Sequence, residues 1–246
     1  MIPLKDDVPT RSFPLVTVAL IVANVVVYLY QAALGFPVPQ SPGAARAAQR
    51  AYEAFMYEFG LVPCRLTAAC PPRLQTVLAG APQPWLTVVT SMFLHGGLFH
   101  LGGNMLYLWI FGNNVEDSMG KGRFVAFYLL CGVTAAAAQY GRDPASAVPM
   151  IGASGAVSGA LGAYLILYPR AHVWTLVMLG FFWRIVPIPA VVVLGFWIVV
   201  QVLNGLITFG SGEPGGVAFL AHVGGFLAGM ALINLFRRRP RAEYRR

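Results

Sequence analysis

Long runs of apolar residues recur along the chain at 15–34, 98–114, 124–140, 154–169, 186–209 and 217–236, with polar and turn-forming residues between them. Each run is close to the ~20 residues that a helix rising about 1.5 Å per residue needs to cross a hydrocarbon core of about 30 Å. The pattern predicts six membrane-spanning helices, an all-α membrane protein, with most connections short. The exception is a large first loop, 35–97. Its opening stretch, "GFPVPQSPGAARAAQR", is rich in Pro, Gly and Ala and reads as a surface linker. "AYEAFMYEF" follows, with Tyr52, Phe55, Met56 and Phe59 near helical spacing. Two readings of it are open: a helix lying in the membrane interface, or a small helix packed on the rest of the loop.

Composition sharpens this picture. With 57% hydrophobic and 11% charged residues in 246 and a mean hydropathy of +0.66, the chain is too apolar for a soluble domain and too patterned for disorder. The first run follows a polar leader, "MIPLKDDVPTRSFP", and is longer than the apolar region of a cleaved signal peptide, so it reads as a retained anchor. A net charge of +8 raises the question of nucleic acid, but the basic residues do not form a phosphate-binding face. Six arginines crowd the tail "RRRPRAEYRR"; Lys5 and Arg11 precede span one, Lys121 and Arg123 separate spans two and three, and Arg170 and Arg184 separate spans four and five. The short loops on the other side hold Arg142 alone, so the positive-inside rule places both termini in the cytoplasm. The expected organisation is a cytoplasmic segment 1–14, a six-span domain 15–236 and a basic cytoplasmic tail 237–246. Cys64 and Cys70 then lie outside the cytoplasm, where they read either as a disulfide or as two free thiols. Cys131, inside span three, reads as a small core residue.

Polar residues inside spans cost free energy and are functional candidates by default. His100 and Asn104, four apart, share a helix face in "HGGLFHLGGNM", which also holds His95. His222 is followed by Gly225 and Gly229, and Ser154 in "GASGA" by Gly155, Gly159 and Gly162, so both spans carry stripes of small residues that allow close packing. With cytoplasmic termini, His100, Asn104, Ser154 and His222 all fall within roughly 10 Å of the non-cytoplasmic surface. A serine hydroxyl becomes nucleophilic when a neighbouring base takes its proton, and histidine suits that task near neutral pH. The nine acidic residues lie in loops or at span ends. Glu116 and Asp117 close span two on the opposite side, so the arrangement predicts a Ser154–His222 dyad rather than a triad. His100, Asn104 and the Ser154 amide are candidate donors to an oxyanion, and Gly152 and Gly155 let backbone approach a substrate. His95 and His100 miss the i, i+4 spacing of helical metal ligands and have no acid beside them, which argues against zinc. The dyad calls for no metal or other cofactor. Trp197 and Gln201 share a face of span five and read as packing, in a span suited to gating substrate entry.

"GASGA", "HGGLFHLGGNM" and "AHVGGFLAG", in that order and in those spans, resemble the bacterial six-span rhomboid intramembrane serine proteases. The resemblance implies a bundle in a bacterial plasma membrane that cleaves transmembrane segments of other proteins, with Ser154 as nucleophile, His222 as base, and His100 and Asn104 at the oxyanion site. It gives Glu116 a hydrogen-bonding role at the inner end of span two, and puts the large first loop partly in the outer leaflet. Ser158 departs from the pattern: some bacterial members have there a tyrosine that stacks on the catalytic histidine. Two other classes share these residues, an inactive helix-binding relative and a channel or transporter. The presence of both Ser154 and His222 argues against the first, and the lack of internal repeats against the second.

Overall fold

The computed structural model describes residues 1–35, 41–180, 182–211 and 218–238. Strand β1 (Ile2–Asp6) precedes helix α1 (Leu15–Gly35), and the large loop that follows holds α2 (Pro42–Phe59), α3 (Pro63–Leu66), α4 (Pro72–Val77) and α5 (Thr87–Thr90). Next come α6 (Leu98–Tyr107) and α7 (Asn113–Met119), joined through a wider π-type turn at Leu108–Gly112. Then follow α8 (Lys121–Tyr140), α9 (Ser154–Leu167), strands β2 (His172–Leu179) and β3 (Phe182–Pro189), α10 (Ala190–Ser211) and α11 (Phe219–Phe236). Among the described residues, α1, α8, α11 and the Ala190–Ile207 part of α10 are long and apolar enough to cross a membrane. Helix α9 is shorter, at 14 residues.

Three expectations are corrected. The supposed linker is helical from Pro42: Ser41 caps the first turn by accepting from the Ala44 amide, a proline occupies the first helical position, and alanines fill the body. Residues 36–40 of that stretch lie outside the described residues. The predicted fifth span begins too early, because 186–189 belong to β3 and the helix starts only after Pro187 and Pro189. An antiparallel sheet of order β1-β2-β3 was not expected at all. Its strands were read as a polar leader and an ordinary connection.

"AYEAFMYEF" is the second half of α2, and that helix is tied to α1 rather than only to the rest of the loop. Phe55 meets the Tyr30 ring edge-on at 5.4 Å, and Gln31 donates to the Tyr52 hydroxyl at 3.3 Å. Cys64 and Cys70 form a disulfide, buried with Val62. Cys131 is a free, buried thiol in the main core, as expected.

Helix α9 is the central element: every residue from Gly155 to Tyr164 is buried. It meets α11 backbone to backbone. A Cβ on Gly225 would overlap the Gly155 carbonyl, and one on Gly229 the Gly159 carbonyl. At the other end of the bundle, acidic side chains close the start of α1. Asp117 accepts from the Arg11 and Ser12 amides, and Glu116 accepts from the Val16 and Thr17 amides and the Thr17 hydroxyl. The Val16 and Thr17 amides are among those that a helix start leaves without intrahelical acceptors, and a carboxylate suits the positive end of the helix dipole.

Candidate active site

Ser154 is the first residue of α9 and His222 lies in the first turn of α11. The glycine contacts that seat α11 on α9 bring the two side chains together, with His222 Nε2 2.8 Å from Ser154 Oγ. Gly152, two residues before the serine, has φ +122°, a region that L side chains rarely adopt. Its amide is held by the Ser91 carbonyl at 2.9 Å, which fixes the approach of the chain to α9.

The second nitrogen of His222 is also engaged: Nδ1 lies 2.8 Å from Gln201 Oε1 on α10. The Trp197 ring lies tilted over the His222 ring, with centroids 5.8 Å apart, and Phe219 meets it edge-on. Ser158 does not hold the ring. Its hydroxyl turns back onto its own helix and donates to the Ser154 carbonyl at 2.6 Å. The sequence reading placed Trp197 and Gln201 in packing, and both instead contact the histidine. Their spacing of four residues, one aromatic and one amide on a single face of an apolar helix, was the available signal.

His100 faces the same site from α6. The Gly96 amide donates to its Nδ1 at 3.3 Å, so in a neutral ring the proton sits on Nε2, pointing inward. A Cβ built on Gly152 would lie 2.8 Å from His100 Nε2 and 3.5 Å from Ser154 Oγ. A side chain there would occupy the space between His100 and Ser154, which accounts for the glycine. Asn104 is buried, lines the same cleft and has no hydrogen-bond partner for its Nδ2 among the described residues. The cleft is an open space of about 1220 Å³ that reaches Ser154, His222, His100 and Asn104.

Supporting positions divide in two. His95 is fully buried, its backbone bound on both sides by Gln31 from α1 and its ring packed edge-on against His100 at 5.1 Å, so it backs His100 from behind. Gly155 and Gly225 are packing contacts between α9 and α11. Glu116 is remote from this site, at the start of α1.

The sequence profile described as Rhomboid domain matches residues 82–239, well over half of the chain and including Ser154, His222, His95, His100, Asn104, Trp197 and Gln201. The chain belongs to the rhomboid family. Rhomboid protease GluP of Bacillus subtilis (strain 168) is 36% identical over 152 residues, which is 62% of this chain and 27% of that protein. Rhomboid-like protein 11, chloroplastic, of Arabidopsis thaliana is 32% identical over 168 residues, 65% of this chain and 55% of that protein. Presenilin-associated rhomboid-like protein, mitochondrial, of Mus musculus is 34% identical over 87 residues, 35% of this chain and 23% of that protein. The aligned part thus spans between about a quarter and about half of these rhomboid relatives. Family and apolar helices together make the chain a multi-pass integral membrane protein.

Proposed function

We propose that this rhomboid is an intramembrane serine endopeptidase that hydrolyses peptide bonds in or near transmembrane segments of other membrane proteins. The observation that carries the reading is the 2.8 Å contact of His222 Nε2 with Ser154 Oγ at the end of an open cleft. His222 takes the hydroxyl proton as Ser154 attacks the scissile carbonyl, then returns it to the leaving amine. Water, activated by the same histidine, hydrolyses the acyl-enzyme. The oxyanion sits between His100 Nε2, Asn104 Nδ2 and the Ser154 amide, which at a helix start has no intrahelical acceptor.

The reading extends to architecture. Six spans cross the membrane, with α6 and α7 forming the second and the short α9 the fourth, within a domain 15–236. The segments 1–14 and 237–246 face the cytoplasm, and a bacterial plasma membrane is the setting. The basic residues on that side support the orientation, and the exposed apolar side chains of α1 and α10 support the spanning. Residues 239–246 of the tail lie outside the described residues.

The test uses a fluorophosphonate probe on purified protein in detergent. Labelling is expected at Ser154 in the wild type and in neither Ser154→Ala nor His222→Ala, with both variants folded and inserted. Both variants are also expected to lose cleavage of a single-span substrate, because the pair acts as one unit. Wild-type cleavage by Ser154→Ala overturns the mechanism.

A further inference from the structure

Gln201 is buried on α10 with each end of its amide facing a different partner. The Nε2 end faces the Trp197 carbonyl one turn back, at 3.4 Å, and a carbonyl can only accept. The Oε1 end is therefore the one turned to His222 Nδ1, 2.8 Å away. An amide oxygen can only accept as well, so Nδ1 must carry the imidazole proton. That leaves the Nε2 lone pair facing the Ser154 hydroxyl, the tautomer a general base requires.

We propose that Gln201 is a positioning residue, an uncharged third member that fixes the tautomer and plane of the His222 ring for proton abstraction from Ser154. The inference rests on the protease reading above. A carboxylate here would orient the ring equally well and would also stabilise the imidazolium. Burying a charge inside a span is costly, and an amide gives orientation without it. Trp197, on the same face of α10, supplies the second hold on the ring. α10 carries no ionisable side chain. The charged and titratable groups lining the cleft from other elements are His100 and Tyr107 on α6, and Arg142 and Asp143 between α8 and α9.

The test compares wild type, Gln201→Met and Gln201→Glu as full chains, reading the rate of fluorophosphonate labelling, kcat and KM on a single-span substrate, and the pH profile. Gln201→Met keeps the side-chain length and removes the acceptor. It should lower the labelling rate and kcat by about ten- to a hundredfold, with KM changed by less than about threefold. Gln201→Glu should recover most of that rate at high pH. It should also move the acid limb of kcat/KM to higher pH, because a carboxylate beside Nδ1 favours the protonated ring. Equal labelling rates and an unmoved acid limb in both variants overturn the positioning role while leaving the protease reading intact. A wild type that is not labelled at Ser154 overturns the protease reading, and this inference with it. If Gln201→Met fails to fold, the acid limb of Gln201→Glu decides alone.

Discussion

His100 and Asn104 differ from the dyad in what their loss should do. His100 Nε2 borders the space beside Ser154, and Asn104 lines the same cleft with no partner for its Nδ2 among the described residues; on the proposed mechanism both bind charge that develops during attack. Donors aimed at an oxyanion act mainly in the transition state. His100→Ala and Asn104→Ala should therefore lower kcat by about ten- to a thousandfold with a smaller change in KM, read on a single-span substrate. A weaker KM with unchanged kcat would make them substrate-binding or packing groups. Asp6 offers a prediction about stability. Its Oδ2 accepts from Asn114 Nδ2 at 2.6 Å and from the Tyr164 hydroxyl at 2.7 Å, both buried. Desolvation raises its pKa above the ordinary 3.8 by more than the Tyr164 hydrogen bond lowers it. A carboxyl that holds its proton more tightly when folded loses stability for the protein as pH rises through that window, and the loss is complete above the folded pKa. Asp6→Asn, which keeps an acceptor oxygen, should flatten this decline in unfolding midpoints taken across acid to neutral pH. Asp6→Ala leaves two buried donors without an acceptor and should cost about 2–4 kcal/mol. Ser154, His222, His100 and Asn104 were legible because each is a polar group inside an apolar run. Gln201 carried the same signal, a polar group inside an apolar run, but its partner lies 21 residues away on another helix, and Asp6 carried none, since its partners lie 108 or more residues away.

The same contrast runs through the elements. The glycine stripes on α9 and α11 were readable, and the two helices meet along them. The glycines are therefore open to test. Alanine favours a helix over glycine by about 0.5–1 kcal/mol, whereas overpacking costs about 1–3 kcal/mol or more. At Gly225 a Cβ would overlap the backbone of α9, so the second effect wins. Gly225→Ala should push α11 outward, lower the unfolding midpoint and cut turnover by more than about tenfold, because His222 rides on the displaced helix. Gly195→Ala on α10, where a Cβ would meet nothing within 4 Å, is the control and should leave both measurements near wild type. The sheet escaped the sequence reading for a different reason. β2 and the first half of β3 were left in the connection between spans four and five, and the apolar end of β3, 186–189, merged into the start of the fifth run. β1 pairs with β2 across some 170 residues of chain, a partnership that periodicity cannot reveal. The first half of α2 was missed because proline, glycine and serine at its start match a linker as well as they match a capped helix.

At the scale of the whole molecule, on the proposed protease reading, the position of the site within the bundle sets what is cut and where. Ser154 opens α9 and His222 lies in the first turn of α11, so the site is at one end of these helices, opposite the end where Glu116 and Asp117 close α1. By the orientation proposed above, that end is the non-cytoplasmic one. A scissile bond must then come to rest near the outer end of a substrate's span. A regular helix ties its carbonyls in i→i−4 hydrogen bonds and crowds them with side chains, so attack by Ser154 requires local unwinding. Gly or Pro near the cut makes that unwinding cheaper, by about 1 kcal/mol for Gly and about 3 for Pro relative to alanine. The close approach of Gly152 to His100 and Ser154 also leaves little room beside the nucleophile, which favours a small residue at the cleavage position. Mass spectrometry of the products from a model single-span protein should place the cut in the outer third of its span or just outside it. Replacing the helix-weakening residues around that cut with leucine should lower kcat/KM by about tenfold or more, the equivalent of about 1.4 kcal/mol of added unwinding cost. A cut mapped to the cytoplasmic end, or no loss of rate on the leucine replacement, would overturn the link between the depth of the Ser154–His222 pair and the choice of substrate.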